Sequence, residues 1–248
     1  MKKLHIILVI ALMSILLLCL VSCGEPTFEY EEYSNGYKIS GRGEITDTEL
    51  VIPEKYKGKP VLGIGDEAFK GCTDITSITL PDTVEFIELS AFEGCTALKT
   101  INTPSNLTMI GELAFAGCSS LEAFDIPEKM DTFIKNAFHD TPLLETEGSV
   151  TYVDNWVVGV ETGLTDVSIR EGTVGLADSA LRTGSTKMLE DVFLPSTIRS
   201  IEIDANYSYM TFHFDGTKAQ WQTIFKEYPY YTFSFTVICT DETLTYGN

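Results

Sequence analysis

"AFEGC", residues 91–95, stands between "AFKGC" at 68–72 and "AFAGC" at 114–118, and each step is 23 residues. The neighbouring positions follow the same step. Ile75, Leu98 and Leu121 form one column, and Ile78, Ile101 and Phe124 the next. Pro81, Pro104 and Pro127 follow, then Val84, Leu107 and Met130, then Ile87, Ile110 and Phe133. A fixed period in the range of about 20–50 residues marks a solenoid, whose units bury their apolar sides only against one another. Enzymes seldom need the same five residues three times; something that is stacked does.

The spacing inside one unit predicts its path. "SITL" (77–80) alternates polar and apolar residues like a short half-buried strand. Pro81 has no N–H and ends the ladder there. The chain then drops Val84 and Ile87 inward and turns at Ala91-Phe92, a small residue where backbone crowds and a ring for the middle of the coil. Gly94 supplies an unusual backbone angle at the end of the turn. The Phe column 69, 92, 115 and 138 is expected to stack.

The pattern loosens on both sides. Upstream, Leu50, Ile52 and Pro53 fit the strand, and an insertion around "KYKGK" precedes Ile64. Downstream, Leu164, Val167 and Ile169 fit, with Arg170 in the proline slot; Leu189, Val192, Leu194 and Pro195 fit fully; Tyr209, Phe212 and Phe214 fit, with Asp215 in that slot. Leu181 and Asn206 stand where Phe is expected. Residues 145–163 break register, and "VTYVDNWVVGV" (150–160) predicts two strands around Asp154-Asn155. For the ends, "FEYEEYSNGYKIS" (28–40) predicts a β-hairpin turning at Asn35-Gly36. Thr217 and Gln220 form a capping box for a short helix bearing Trp221, Ile224 and Phe225. Phe233, Phe235 and Val237 alternate along a last strand, and 241–248 reads as a tail.

The unit L-x-x-I-x-L-P-x-x-V-x-x-I-x-x-x-A-F-x-G-C resembles the repeat of the BspA-like bacterial leucine-rich-repeat family. "IREGTVGLADSAL" (169–181) is similar to its irregular coils, and "FDGTKAQWQTI" (214–224) to its closing segment. The resemblance covers about residues 37–240. It implies a right-handed leucine-rich-repeat solenoid, with short parallel strands on one face and turns or helical turns on the other. It also implies a surface-attached protein; some members bind host proteins or partner bacteria.

The amino terminus carries an export signature. Lys2 and Lys3 precede an apolar run from Leu4 to Leu20, too short for a convincing membrane span. Leu20-Val21-Ser22-Cys23 resembles the lipobox of bacterial lipoproteins. That resemblance makes 1–22 a signal peptide and Cys23 a lipidated first residue, with 23–36 a tether leading into the hairpin and the acyl chains holding the protein to the envelope, facing outward. An ordinary cleaved leader and a retained anchor are the alternatives. Without the leader's two lysines, 15 of the 17 basic residues face 36 acidic ones, a formal charge of −21. Such a balance excludes nucleic acid and anionic membrane surfaces as partners, since both select basic patches.

Chemistry-bearing residues are sparse. Cys72, Cys95 and Cys118 share one repeat column, with Thr141 at its fourth position, so the column works without sulfur. Free thiols and a disulfide among these and Cys239 both remain open, and no pair has zinc-type spacing. No cofactor or metal is expected. Beyond the leader only His139 and His213 remain, and no nucleophile elbow, metalloprotease or phosphate-binding motif accompanies them. No enzymatic role is expected; a hydrolase would need one of these His beside a Ser or Asp with a strongly shifted pKa.

Function is therefore expected on the outward strand positions, which fall on one surface coil after coil. The first half is small and neutral. The second gathers Asp125, Asp166 and Asp191 beside Phe193 and His213, a candidate ligand-binding patch. Two readings follow: a monomeric, surface-anchored module binding a macromolecule, protein or glycan, or an envelope spacer with no ligand.

Overall fold

The computed structural model describes residues 27–127, 130, 132–133, 136–177, 179–182, 189–201, 209–224 and 234–246. The leader, Cys23, Asn206, Phe225 and Phe233 lie outside the described residues. Two parallel ladders run along the first half of the solenoid. One joins β3 (Glu49–Val51), β6 (Ser77–Thr79) and β8 (Thr100–Ile101), with Leu50, Ile78 and Ile101 in register. The other joins β2 (Gly36–Gly41), β5 (Lys59–Ile64), β7 (Phe86–Ile87), β9 (Met109–Ile110) and β10 (Thr132–Phe133). This second ladder is where the Val-x-x-Ile part of the unit ends: Ile87, Ile110 and Phe133 belong to its short strands, and Val84, Leu107 and Met130 precede them.

A third line of backbone bonds runs through the turns. Phe69 N–H donates to Ala91 O (2.8 Å), Phe92 N–H to Ala114 O and Phe115 N–H to Ala137 O (both 2.7 Å). Each coil is thus held to the next on three sides. Gly71, Gly94 and Gly117 have φ of 70°, 72° and 71°, the left-handed region that favours glycine. Asp140 occupies the next such slot at φ 56°.

Inside, the predicted ring stack is present. Centroids of Phe69, Phe92, Phe115 and Phe138 are 5.3, 5.2 and 5.0 Å apart with nearly parallel planes. Phe124, in the Ile column, leans against Phe115 and Phe138 at 5.1 and 5.2 Å. The cysteine column holds no disulfide: Cys72, Cys95 and Cys118 are free, as is Cys239 outside it. The Cys95 thiol donates to Phe69 O (3.1 Å) and the Cys118 thiol to Phe92 O (3.2 Å). Thr141, next in the column, donates instead within its own turn, to Phe138 O at 2.8 Å. Hydroxyl and thiol alike find a phenylalanine carbonyl, the thiols across to the preceding coil and the hydroxyl in its own.

The amino end is the expected hairpin with a shifted turn. β1 (Glu29–Tyr33) pairs antiparallel with β2, and Tyr33 faces Gly36, so the turn residues are Ser34-Asn35. Gly36 belongs to the strand for a packing reason: a Cβ there would sit 2.4 Å from Pro60 O. The "KYKGK" insertion is a second small hairpin, β4 (Lys55–Tyr56) against β5. Its Tyr56 ring stacks on Tyr30 at 3.7 Å.

Register breaks at Leu144, which is 36% exposed where Ile75, Leu98 and Leu121 are fully buried. The excursion contains three strands where the sequence predicts two. β11 (Glu145–Glu147), β12 (Val150–Val153) and β13 (Trp156–Val160) form an antiparallel meander. Its turn is at Asp154-Asn155, with Asp154 at φ 50°. Arg170, the departure in the proline slot, fastens the excursion. Its guanidinium lies 4.0 Å over the Tyr152 ring and donates to Asp154 O at 2.8 Å.

Parallel stacking then resumes through β13, β15 (Gly175–Leu176) and β17 (Ser200–Ile201) on one side. On the other, β14 (Asp166–Ser168), β16 (Asp191–Leu194), β18 (Thr211–Phe214) and β19 (Phe235–Ile238) pair in parallel. Between β18 and β19 lies the helix α1 (Lys218–Ile224). Its capping box is reciprocal: Thr217 N–H donates to Gln220 Oε1 (2.8 Å) and Gln220 N–H to Thr217 Oγ1 (3.3 Å). Residues 243–246, expected in a tail, form β20 (Thr243–Tyr246), antiparallel to β19. Thr-Leu-Thr-Tyr alternates like a strand, and Tyr246 stacks on Phe235 at 4.7 Å. One apolar core runs from Phe28 to Cys239.

Candidate functional site

The outer surface of β14, β16, β18 and β19 collects the residues that the alternation points outward. Val192, Phe212 and Val237 are fully buried beneath, so the flanking positions must face away. Register places Asp166 beside Asp191, then Thr211 and Thr236, in one row. A second row holds Ser168, Phe193, His213 and Ile238.

Three of the expected residues form one unit. The His213 ring stacks on Phe193 with centroids 4.3 Å apart and planes 13° from parallel. Its Nε2 lies 2.6 Å from Asp191 Oδ1. The carboxylate fixes the imidazole, and the imidazole supports a phenyl ring that is 42% exposed. Asp166 lies one strand away and accepts from its neighbour Thr165 Oγ1 at 3.2 Å.

Asp125 is placed elsewhere. The ladder β3-β6-β8 and the ladder carrying β14 are separate sheets, and Asp125 follows β8 in the coil before the excursion. Its charge acts on Asp154, at the tip of the excursion. The Asp154 carboxyl lies against the preceding coil, 3.4 Å from Ile126 N. Lost hydration there raises its pKa above the ordinary 3.8 and Asp125 raises it further, against the pull of the Ile126 and Asn155 amides. An acid with a raised folded pKa contributes most to stability below its unfolded pKa, and that contribution is lost as pH rises through the folded value. Asp154→Asn keeps the acceptor for Ile126 and suits a left-handed backbone. It is expected to raise the melting temperature at neutral pH by about 1–2 °C and to leave it unchanged at about pH 3, below both values, as thermal scans at the two pH values will show.

A groove of about 480 Å³ adjoins the Phe193–His213 pair, and its lining includes Glu171, Asp215, Ile238 and Thr240. None of these four belongs to the expected patch. Asp215 is flagged in the sequence only as a departure from proline. Glu171 and Thr240 lie past strand ends, where alternation gives no direction. Ile238 is 39% exposed and follows His213 in the outward row.

Among the described residues neither His is part of a nucleophile–base set. His139 Nδ1 lies 3.0 Å from Asp140 Oδ1, and both side chains are largely exposed. His213 has its carboxylate, but among the described residues no serine is hydrogen-bonded to either imidazole. A nucleophile–base pair requires that bond. Among the described residues no group of three His, Cys, Asp or Glu is arranged to hold a metal ion, and no helix is long and apolar enough to cross a membrane.

Comparison with known proteins gives a consistent picture. The family model described as "BspA type Leucine rich repeat region" matches residues 48–161 in six copies. A leucine-rich repeat protein from Bacteroides capillosus is 31% identical; the match covers 50% of this chain and 97% of that one, with a TM-score of 0.44. Another, from Bacteroides ovatus, is 25% identical over 77% of this chain, with a TM-score of 0.45. The chain spans about half of that protein's length, 48%. A leucine rich cell surface protein from Faecalibacterium prausnitzii is 17% identical over 83% of this chain and 97% of its own, with a TM-score of 0.39. No curated protein matches. With six repeat copies matched, the chain belongs, over residues 48–161, to the BspA-type leucine-rich-repeat family.

Proposed function

We propose that this protein is a lipid-anchored binding module of the bacterial cell surface that holds a macromolecular ligand on the carboxy-terminal half of its strand face. The observation that supports this reading is the Asp191–His213–Phe193 unit. A stacked aromatic ring held in the open by a hydrogen-bonded imidazole is a pre-ordered contact. Binding there loses little side-chain freedom, and rigid aromatics dominate the energetics of protein interfaces. A sheet whose inner side is saturated with core contacts keeps that ring in place. Surface association is common to BspA-type proteins, and the lipobox-like Leu20-Val21-Ser22-Cys23 supplies the means of attachment, with Cys23 as the lipidated residue. No catalytic step and no cofactor enter this reading.

The test is direct binding of the exported protein to matrix proteins, mucins and glycans. A variant with Asp166, Asp191 and Phe193 all changed to Ser, shown to be folded by circular dichroism, runs beside it. Saturable binding that falls at least about tenfold in the variant, a loss of about 1.4 kcal/mol, is expected. If the parent binds no member of the panel, the spacer reading takes its place.

A further inference from the structure

We infer that the groove beside Phe193 and His213 takes a cationic, arginine-bearing polypeptide segment; the inference rests on the strand-face reading above and names its ligand class. The groove presents unmatched chemistry. Around the groove, the polar side chains are overwhelmingly acceptors. Glu171 and Asp215 are exposed carboxylates at its rim. Among the described residues neither carboxylate has a hydrogen-bond or ion-pair partner, and no lysine or arginine lines the groove. His213 could donate, but its Nε2 is engaged by Asp191 at 2.6 Å. The Thr240 hydroxyl is turned to Gly216 O at 3.1 Å. A ligand must therefore bring its own donors, and positive charge with them.

The apolar part selects among donors. Phe193 offers a half-open ring face, and Ile238 continues the apolar row two strands on. A guanidinium stacks on an aromatic face, carries five donors in a planar fork and sheds water more readily than an ammonium. Arginine can thus lie on Phe193 while its fork reaches a rim carboxylate, and an ammonium matches that pair of demands poorly. A sugar would also stack on Phe193, yet its hydroxyls carry no charge to answer two open carboxylates in a chain of formal net charge −19. From Ile169, just past the end of β14, across Phe193 and His213 to Ile238 is three inter-strand steps of about 4.8 Å, roughly 14 Å. That length matches four or five residues of extended chain at about 3.4 Å each, so the occupant is a short segment.

The test uses the exported protein and three nine-residue peptides alike in length and apolar content. They carry Arg, Gln or Glu at the same three positions. Affinity is read by fluorescence anisotropy at low and high salt. Only the Arg peptide is expected to bind, and its affinity should drop about tenfold or more in high salt, where screening shortens the reach of exposed charges. A similar drop is expected in the double variant Glu171→Gln/Asp215→Gln and in Phe193→Ser. The first changes exposed residues only, and circular dichroism checks that both variants stay folded. An Arg peptide that binds no tighter than its Gln counterpart overturns the inference, and so does tight binding that both variants retain. If a neutral glycan or an acidic protein instead binds and Phe193→Ser abolishes it, the cationic ligand is refuted while the strand-face function stands.

Discussion

Phe92→Ala is expected to lower the unfolding free energy by about 3–5 kcal/mol, the range for deleting a large ring from a closed core. Phe92 is fully buried, with Phe69 5.3 Å away on one side and Phe115 5.2 Å away on the other. The void cannot easily close. Its walls are backbone bonded from both neighbouring coils: Phe69 N–H to Ala91 O, Phe92 N–H to Ala114 O and the Cys118 thiol to Phe92 O. Urea unfolding followed by far-ultraviolet circular dichroism gives the value, and a loss under about 1 kcal/mol would mean the ring is not closed in. Solenoid coils depend mainly on their nearest neighbours, so the loss should be local at first. Both tryptophans, Trp156 and Trp221, lie beyond the ring stack in sequence. Circular dichroism should therefore begin to fall before tryptophan fluorescence changes. Coincident transitions would show instead that the whole array opens as one unit.

What the sequence made legible follows from how repetition works. A column of identical residues at a fixed step has one explanation, a shared position in stacked coils, and so Phe69 to Phe138, the cysteine column and the strand slots could be placed. Departures inside the period were readable as departures but not as roles. Arg170 and Asp215 each replace a proline, yet one fastens the excursion and the other rims the groove. The difference depends on the neighbouring coil. β11 and β20 have no repeat register, and their partners are set by a meander and by the end of a sheet. Within the site, Asp191 and His213 could be placed on one face because alternation orients them. Their 2.6 Å contact is diagonal across two strands and depends on rotamers. Asp125 had the same alternation, but it follows the last strand of the first ladder, which is a separate sheet from the one carrying β14, and counting outward positions does not reveal a broken sheet.

Trp221→Ala should act at the other end of the array and reach the site. Seven residues are too few for α1 to persist alone. It is held by Trp221 and Ile224, its two buried side chains, and Trp221 packs against Phe212 at 5.9 Å and Phe214 at 5.6 Å. Removing a fully buried indole is expected to cost about 3–5 kcal/mol. The deficit should appear in the last coils, because β18 has Phe212 and Phe214 on its inner side and His213 between them on its outer side. Once the inner pair loses its cover, the strand that presents His213 is no longer fixed, and the Phe193–His213 stack goes with it. The expected outcome is a low-urea phase in circular dichroism together with lost ligand binding. Trp156, the tryptophan that remains, should respond only at higher urea. Phe92→Ala makes the contrast, since at low urea its damage lies in the first half and the groove should still bind. If Trp221→Ala unfolds in one step and binds as the parent does, the helix is a lid on the core and not a support for β18. If both variants lose binding together, the coils communicate along the whole solenoid, and the groove reports the stability of the array as much as its own geometry.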